Sequence, residues 1–290
     1  MKVIQYQIKR NSNIFLGGDR HVGNAARSQD AVDHFKNALN SKYDGCANNY
    51  YVDHGDNLEA ISSDDRRFEF STHKTLPFDE LDFAIEEYRN IAFKTICILY
   101  GNHEYKWNRF GDLTAKLVKY TNEKYGSNIE YGTNSCVIVY RDENNKFLFR
   151  HFAWHPMSGR LNYAAKDPDQ KLGNILAGLK QRFRDRWGNA LLMSCGHYHQ
   201  LIVNKPKEQL LHMEQGGKIS KEYATARKVD GYIHPDFRWY VCTGSFLTFY
   251  VDGLSTYVER SGSIQPADTG YAIAKVRDGR LVDIDRIKLV

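Results

Sequence analysis

The chain has 290 residues, of which 42% are hydrophobic and 26% are charged, and its net charge is +5. These values are ordinary for a soluble globular protein with a substantial core. No stretch approaches about eighteen consecutive apolar residues, which excludes a membrane-spanning helix, and the N-terminus lacks the apolar core of a signal peptide. The modest positive charge permits binding to a polyanion but does not require it.

Apolar runs and alternating patterns predict strands over 3–8, 13–17, 50–52, 96–100, 136–140, 147–154 and 190–195. Helical spacing of apolar residues predicts helices over 28–40, from 77 to about 91, over 112–125 and over 169–185. Further strands are predicted over 209–213, 238–242, 245–251, 271–276 and 281–289, the last two joined by a turn at Asp278-Gly279. Since no repeat or linker divides the chain, we predict one α/β domain over 1–290, with a strand-rich C-terminal part and a basic insertion near 205–235.

The cysteines are five in number and widely scattered, and none forms a close pair with zinc-finger spacing. Three of them, Cys97, Cys136 and Cys195, lie within apolar runs and are predicted to be buried thiols. This usage favours a reducing compartment, so we predict a cytoplasmic protein.

Five short segments rich in metal-ligand residue types each follow an apolar, strand-like run. They are Gly18-Asp19-Arg20-His21, Gly55-Asp56-Asn57, Gly101-Asn102-His103-Glu104, His155-Pro156 and Gly196-His197-Tyr198-His199. In α/β sheets the residues just past the carboxyl ends of strands gather along one rim, where ligands bind. Any one segment could be an ordinary turn, but five of them at strand ends favour a shared site.

The residue types in these segments predict a pair of metal ions. The candidate ligands are Asp19, His21, Asp56, Asn102, His155, His197 and His199. Such mixed oxygen and nitrogen donors suit first-row transition metals, and seven ligands are too many for one ion. Asp56 is a lone carboxylate that could bridge two ions. Two bridged ions suit in-line displacement at phosphorus by an activated hydroxide, which predicts phosphoester hydrolysis.

The series GDxH, GDxxE, GNHE, H and GHxH, which spans residues 18–199, resembles the calcineurin-like metallophosphoesterase superfamily. The resemblance implies a four-layer αββα sandwich, in which two mixed β-sheets are flanked by helices. It also implies two divalent ions, with manganese expected and iron, zinc or nickel as alternatives. One ion would be held by Asp19, His21, Asp56 and His199, and the other by Asp56, Asn102, His155 and His197.

The resemblance implies roles for two further residues. His103 matches a histidine that contacts the scissile phosphate and protonates the leaving oxygen. Glu59 matches an acidic residue that orients this histidine, although a solvated carboxylate at a helix start is the alternative. His155 is preferred to His151 as a ligand because it lies at the strand end, whereas His151 lies deeper in the strand.

The sequence leaves the substrate open. Candidate substrate contacts are Asn102, Arg20, Arg160, Arg66 and Arg67, with surface charge as the alternative for the arginines. A nucleic-acid backbone could be bound by basic residues with interleaved aromatic residues near 171–186 and by further basic residues over 205–228. The other interpretation is a solvated helix face and a polar loop. The protein could thus be a phosphodiesterase or phosphatase, a DNA or RNA nuclease, or a non-catalytic scaffold with this fold. No membrane partner is predicted, and the oligomeric state is not indicated.

Overall fold

The structure is a computed structural model that describes residues 1–65, 68–69, 73, 76–108, 111–161, 164–224, 231–256 and 268–289. In chain order the strands are β1 (Lys2–Gln7), β2 (Ser12–Gly17), β3 (Asn49–Asp53), β4 (Thr95–Ile98), β5 (Glu130–Tyr131), β6 (Ser135–Arg141), β7 (Phe147–Trp154), β8 (Leu192–Cys195), β9 (Leu201–Asn204), β10 (Gln209–Gln215), β11 (Lys218–Ala224), β12 (Trp239–Thr243), β13 (Thr269–Arg277) and β14 (Arg280–Leu289). The helices are α1 (Gln29–Asn40), α2 (Pro77–Glu87), α3 (Asn102–Tyr105), α4 (Leu113–Tyr125) and α5 (Pro168–Phe183).

Twelve of these strands form two mixed six-stranded sheets. The first has the order β14-β13-β2-β3-β4-β5, and the second has the order β1-β6-β7-β8-β12-β9. In the first sheet β2, β3, β4 and β5 are parallel, and in the second β7, β8 and β12 are parallel. Parallel strands end at the same edge, so each sheet has an edge where several carboxyl ends meet.

The two sheets pack face to face and form an α/β sandwich. Ile14 and Leu16 of β2 share one apolar cluster with Ile138 of β6 and Val241 of β12, which places this cluster between the sheets. Phe15 points to the other face of β2, as alternation along a strand requires, and packs in a second cluster with α1, α2 and α4. This two-sided burial explains why β2 is a continuous apolar run.

The opposite face of the second sheet is covered by α5. Leu179 and Phe183 of this helix are buried with Val137 of β6 and Met193 of β8. The helix begins at Pro168 because the preceding Asp167 side chain accepts a hydrogen bond of 2.8 Å from the Gln170 N–H. The helices and sheets together account for the mixture of 3.6-residue and two-residue periodicities in the sequence.

Most predicted elements are present, and the predicted turn at Asp278-Gly279 has positive φ at both residues, as a tight hairpin turn requires. The strand predicted over 245–251 is wrong. This segment instead bonds to an irregular loop, with the Phe246 N–H donating to the Asp19 carbonyl at 3.2 Å, and it forms only isolated bridges. The sequence also missed α3, β5, β9 and β11.

All five cysteines are buried free thiols, as predicted for three of them. Part of the basic insertion forms the hairpin β10–β11, which pairs with neither large sheet; residues 225–230 lie outside the described residues. Within the described part of the chain, no helix has the length and apolar character needed to cross a membrane.

Candidate metal centre

The strand registers bring the five ligand-bearing segments together. Gly17 of β2 lies opposite Asp53 of β3, and Asp53 lies opposite Ile98 of β4, so three of the segments leave the first sheet side by side. In the second sheet Trp154 of β7 lies opposite Cys195 of β8, so His155 and Gly196 emerge as neighbours. All seven predicted ligands consequently meet at one place.

Five of the seven predicted ligands have left-handed backbone conformations. Their φ values are 52° for Asp19, 46° for His21, 49° for Asp56, 74° for His197 and 51° for His199. A non-glycine residue in this region costs about 1 kcal/mol or more, and such strain concentrates at functional sites. The surrounding hydrogen bonds hold these turns in place.

Two glycines allow the segments to approach closely. A Cβ atom on Gly101 would overlap Asp56 Oδ1, and one on Gly196 would lie 2.7 Å from Asp19 Oδ2. The Asp56 Oδ1 atom accepts a hydrogen bond of 2.9 Å from the His103 N–H. The His197 N–H lies 3.0 Å from Asp19 Oδ2. The carboxylates are thereby fixed by backbone donors that only a glycine-flanked turn can bring so near.

The first ligand group contains Asp19, His21, Asp56 and His199, whose ligand atoms all lie within 4.8 Å of one another. His199 Nε2 is 3.1 Å from Asp19 Oδ1. His21 Nε2 is 3.4 Å from His199 Nε2 and 4.0 Å from Asp56 Oδ2. Two carboxylates and two imidazoles thus converge, and this donor set fits a divalent transition metal.

The second ligand group shares Asp56 with the first. Asp56, His155 and His197 have ligand atoms within 4.8 Å of one another, and His155 Nε2 is 3.3 Å from Asp56 Oδ2. Asn102 Oδ1 completes the group, because it lies 3.0 Å from His155 Nε2 and 2.6 Å from His197 Nδ1. One carboxylate therefore borders two separate donor sets.

Two of the ligand histidines are oriented by bonds on the side facing away from the centre. His21 Nδ1 bonds to Glu59 Oε2 at 2.8 Å. His155 Nδ1 donates to the His54 carbonyl at 2.5 Å. With Nδ1 carrying the proton, the Nε2 lone pair faces the centre, which is the arrangement that metal-ligating histidines use.

The charges of the centre favour a cation. Burial lowers the pKa of His21, but the hydrogen bond to Glu59 and the Asp56 and Asp19 charges outweigh it and raise this pKa to about 9. Burial also lowers the pKa of His155, but the Asp56 charge and hydrogen bond outweigh it and raise this pKa to about 10. The carboxylates therefore attract protons onto these rings where no other cation is held.

His103 lies beside the ligands without belonging to either group of four. Its ring centroid is 4.6 Å from that of His21, and its Nδ1 donates to the Glu59 carbonyl at 2.6 Å. Burial lowers its pKa to about 4. The Glu59 carboxylate is 3.9 Å away, too far for a hydrogen bond. Glu59 thus orients His103 through its main-chain carbonyl, while its carboxylate bonds to His21. The orienting role predicted for the Glu59 carboxylate at His103 stays a prediction.

Arg20, a predicted substrate contact, is fully enclosed by protein. Its guanidinium bonds to Asn57 Oδ1 at 2.9 Å and to Asp53 Oδ2 at 3.2 Å, and it lies 4.5 Å above the Tyr88 ring. Only 1% of the residue is exposed. Because its donors face protein acceptors, Arg20 supports the loop that carries Asp56, and the predicted phosphate contact is wrong.

The other residues predicted to contact the substrate are not enclosed in the way that Arg20 is, or lie outside the described residues. Arg160 is exposed in the loop after His155. Asn102 is half-buried at the second ligand group, and its proposed substrate contact stays a prediction. Arg66 and Arg67 lie outside the described residues.

His151 is separated from the ligands and bonded elsewhere. Its Nε2 is 2.5 Å from Ser194 Oγ, and its Nδ1 is 3.3 Å from the Tyr140 hydroxyl. His151 is completely buried inside β7. This geometry supports the preference for His155 as the ligand, because the strand end is the only one of the two positions that faces Asp56.

Two supporting residues were missed by sequence reasoning. Glu104 Oε1 accepts hydrogen bonds of 2.7 and 3.1 Å from the Asn57 and Leu58 N–H groups, which fixes the turn after Asp56. Phe249 stacks on the His199 ring with centroids 5.3 Å apart, although its φ of 65° is unusual for a bulky residue. Glu104 is part of the GNHE segment and could have been found; Phe249 carries no local signal.

No protein-family model matches the chain, and the search of curated proteins also produced no match. Membership of the calcineurin-like superfamily therefore stays a prediction that rests on the five motifs.

Proposed function

We propose that this chain is a phosphoester hydrolase that depends on two divalent metal ions. The observation that carries the proposal is the position of Asp56, whose carboxylate borders both the Asp19–His21–His199 set and the Asn102–His155–His197 set. A shared carboxylate is what a two-metal hydrolytic site needs. The face-to-face sheets with helices on both outer sides are consistent with the four-layer αββα fold that the resemblance implies.

When bound, the two ions supply a nucleophile at neutral pH and neutralise charge on the phosphate oxygens. Manganese is the metal we expect, with iron, zinc or nickel as alternatives. The residues themselves impose the geometry. Glu59 and the His54 carbonyl lock the rings of His21 and His155, so little reorganisation is required when charge develops.

His103 is the proposed proton donor to the leaving oxygen. Because its Nδ1–H is committed to the Glu59 carbonyl, the nitrogen free to carry a transferable proton is Nε2. Its low pKa means that the ring is neutral at pH 7 in the free protein. A bound phosphate anion beside the ring favours the protonated form, which couples substrate binding to the acid function.

Hydrolysis of bis-p-nitrophenyl phosphate with Mn²⁺ tests the proposal. We expect turnover that is lost in EDTA and restored by metal, together with two bound ions per chain. No turnover with Mn²⁺, Fe²⁺, Zn²⁺ or Ni²⁺ would contradict the enzyme and favour the scaffold alternative.

Replacing His103 tests its separate role. His103→Gln should lower kcat by about 10²-fold or more while leaving both ions bound, because His103 belongs to neither group of four. The loss should be larger with a phenyl than with a p-nitrophenyl leaving group, since the poorer leaving group needs protonation more. The exposed His212 on β10 provides the control His212→Gln, and an unchanged rate for His103→Gln would exclude the acid role.

A further inference from the structure

The ligands of the metal centre differ in their exposure to solvent. Asp19, His21, Asp56 and His155 are at most 1% exposed, whereas Asn102, His197 and His199 are half-buried. A substrate therefore reaches the reacting position past Asn102 and past the segment that carries His197 and His199.

Arg182 lies beside the segment that carries His197 and His199 and also contacts the loop after His155. Its guanidinium is 5.9 Å from the centroid of the Tyr198 ring, and that ring is 5.3 Å from the ring of His197. Its Nη2 atom also donates to the Arg160 carbonyl at 3.0 Å. Gly159 accommodates the guanidinium, because a Cβ there would lie 3.0 Å from Nη2.

Arg186 continues the same surface. Its guanidinium lies 3.9 Å above the Trp154 ring, and its Nε donates to the Arg182 carbonyl at 2.8 Å. Trp154 directly precedes the ligand His155. Arg160, Arg182 and Arg186, here named the arginine rim, thus border the loop after His155 and the turn that carries His197.

The side chains of the arginine rim are not neutralised by ion pairs within the described part of the chain. Among the residues that the structure describes, none of the three forms an ion pair, whereas the neighbouring Arg184 is paired with Asp185 at 3.9 Å. Burial raises the pKa of Tyr198, and the charges of Arg182 and Arg186 both oppose this shift, so these two guanidinium groups lie near the same ring. An anion between them would relieve their repulsion. Guanidinium groups stacked on aromatic rings keep their N–H edges free for phosphate oxygens.

We propose that the arginine rim binds a second phosphate of the substrate, so that the substrate is single-stranded nucleic acid. This inference rests on the proposed function, which places the reacting phosphate at the metal centre. A small monoester has no further anion for the rim, because its one phosphate lies at the ligands. The buried ligands below the exposed rim favour a flexible strand over a rigid duplex, since the phosphate must enter a recess.

Binding in EDTA tests the rim independently of catalysis. The probe is a fluorescein-labelled thymidine oligonucleotide of about twelve residues, measured by anisotropy at several salt concentrations. Arg182→Gln combined with Arg186→Gln should weaken binding by about tenfold or more at about 50 mM salt, and the slope of log K against log salt should fall by roughly 0.7 for each phosphate that the rim no longer neutralises. Arg184 lies on the same turn but is paired with Asp185. The control Arg184→Gln should therefore leave binding unchanged.

Hydrolysis kinetics provide a second test of the arginine rim. In the double variant, the loss of kcat/KM should be at least about tenfold greater for the oligonucleotide than for bis-p-nitrophenyl phosphate, because only the former has a phosphate for the rim. Thermal unfolding verifies that both variants fold.

Failure of the rim and failure of the proposed function give different results. Turnover of bis-p-nitrophenyl phosphate without oligonucleotide binding, or an equal loss of binding in Arg184→Gln, would overturn the rim. Tighter binding of duplex than of single strand would overturn the choice of substrate. Rim-dependent binding without turnover of any phosphodiester would overturn the proposed function while leaving the rim in place.

Discussion

Two buried histidine clusters lie against each other in this protein, and their electrostatics are opposite. The first is the candidate metal centre, where carboxylates raise the pKa of His21 and His155. The second lies between the sheets and consists of His54, Ser194 and His151. In that cluster, burial lowers the pKa of His54 to about 4 and that of His151 well below its usual value. Carboxylate neighbours thus distinguish His21 and His155 from the equally buried His54 and His151.

The hydrogen bonds of the second cluster require neutral rings. His54 Nδ1 donates to the Gly17 carbonyl, so its Nε2 accepts from the Ser194 hydroxyl at 2.5 Å. Ser194 Oγ in turn accepts from His151 Nε2–H, and Tyr140 donates to His151 Nδ1. The ring nitrogens and the serine hydroxyl are all satisfied without a charge or a metal. The backbone of His54 links the clusters, because its carbonyl orients His155.

The largest effect is expected from Asp56→Asn. Asparagine keeps the shape of the residue and tolerates the positive φ, but it removes the charge shared by both ligand groups. We expect loss of bound metal and a fall in kcat of about 10³-fold or more, because metal binding is worth several kcal/mol in the transition state. Metal content per chain and bis-p-nitrophenyl phosphate turnover are the measurements. His151→Gln, in the neutral cluster, is the control that keeps both ions; full metal and rate in Asp56→Asn would show that Asp56 is not a ligand.

Glu59→Gln should have an intermediate effect. The amide still reaches His21 Nδ1 but no longer carries the charge that raises its pKa. Metal affinity should fall by about 10–100-fold, and excess metal should restore much of the rate. Titration of the metal-free protein with Mn²⁺ measures this change. A variant whose affinity equals that of the wild type would contradict the assigned role of Glu59.

Ser194→Ala should act on stability rather than on the metal centre. It leaves two buried imidazole nitrogens without their shared partner, which costs about 1–3 kcal/mol in the free energy of unfolding. Denaturant unfolding measures this cost, and metal content should stay at the wild-type value. If Ser194→Ala loses metal as readily as Asp56→Asn, the two clusters are not separable.

The last expected effect is a pH dependence of stability with two opposite limbs in the metal-free protein. The pKa of His54 is lower in the folded state, so its stabilisation is complete above about pH 6.5 and is lost as the pH falls towards 4. The pKa values of His21 and His155 are raised, so their stabilisation is complete below about pH 6.5 and is lost as the pH rises through about 9 and 10.

Thermal unfolding between pH 4 and 10 measures both limbs. Each kcal/mol of lost stability should lower Tm by about 2–4 °C. His151→Gln should reduce the acid limb only, since it removes one ring whose pKa burial lowers. Saturating metal should remove the alkaline limb, because a bound cation replaces the protons. An alkaline limb that persists in saturating metal would contradict the assignment of His21 and His155 as ligands.

The site was more predictable than its surroundings, and Arg20 shows why. The ligand candidates can be recognised from the local sequence. Each follows an apolar run and lies next to a glycine or at a strand end. The guanidinium of Arg20 has partners on β3 and α2, Asp53 and Glu87, which are far away in sequence. No pattern near Arg20 reveals that its charge is enclosed, so the sequence favoured an outward role.

The segment 245–251 illustrates a second limit. Its apolar residues are typical of a strand, but the Thr248 N–H donates to the Ala26 carbonyl, so its partner is an irregular loop. Phe249 then takes a left-handed conformation and stacks on His199. Such an arrangement depends on which loops meet, and local periodicity carries no information about that.

The sequence by itself determined the main strands and helices, the buried thiols and the set of seven ligand candidates, because periodicity and residue type are local properties. Only the tertiary structure decided that Asp56 borders both ligand groups, that Glu59 serves His21, and that His151 belongs to a neutral network. It also decided that Arg182 and Arg186 lie against Tyr198 and Trp154, the chain neighbours of His197 and His155. Those assignments depend on distances between segments that are remote in the chain, and such distances exist only once the two sheets have packed.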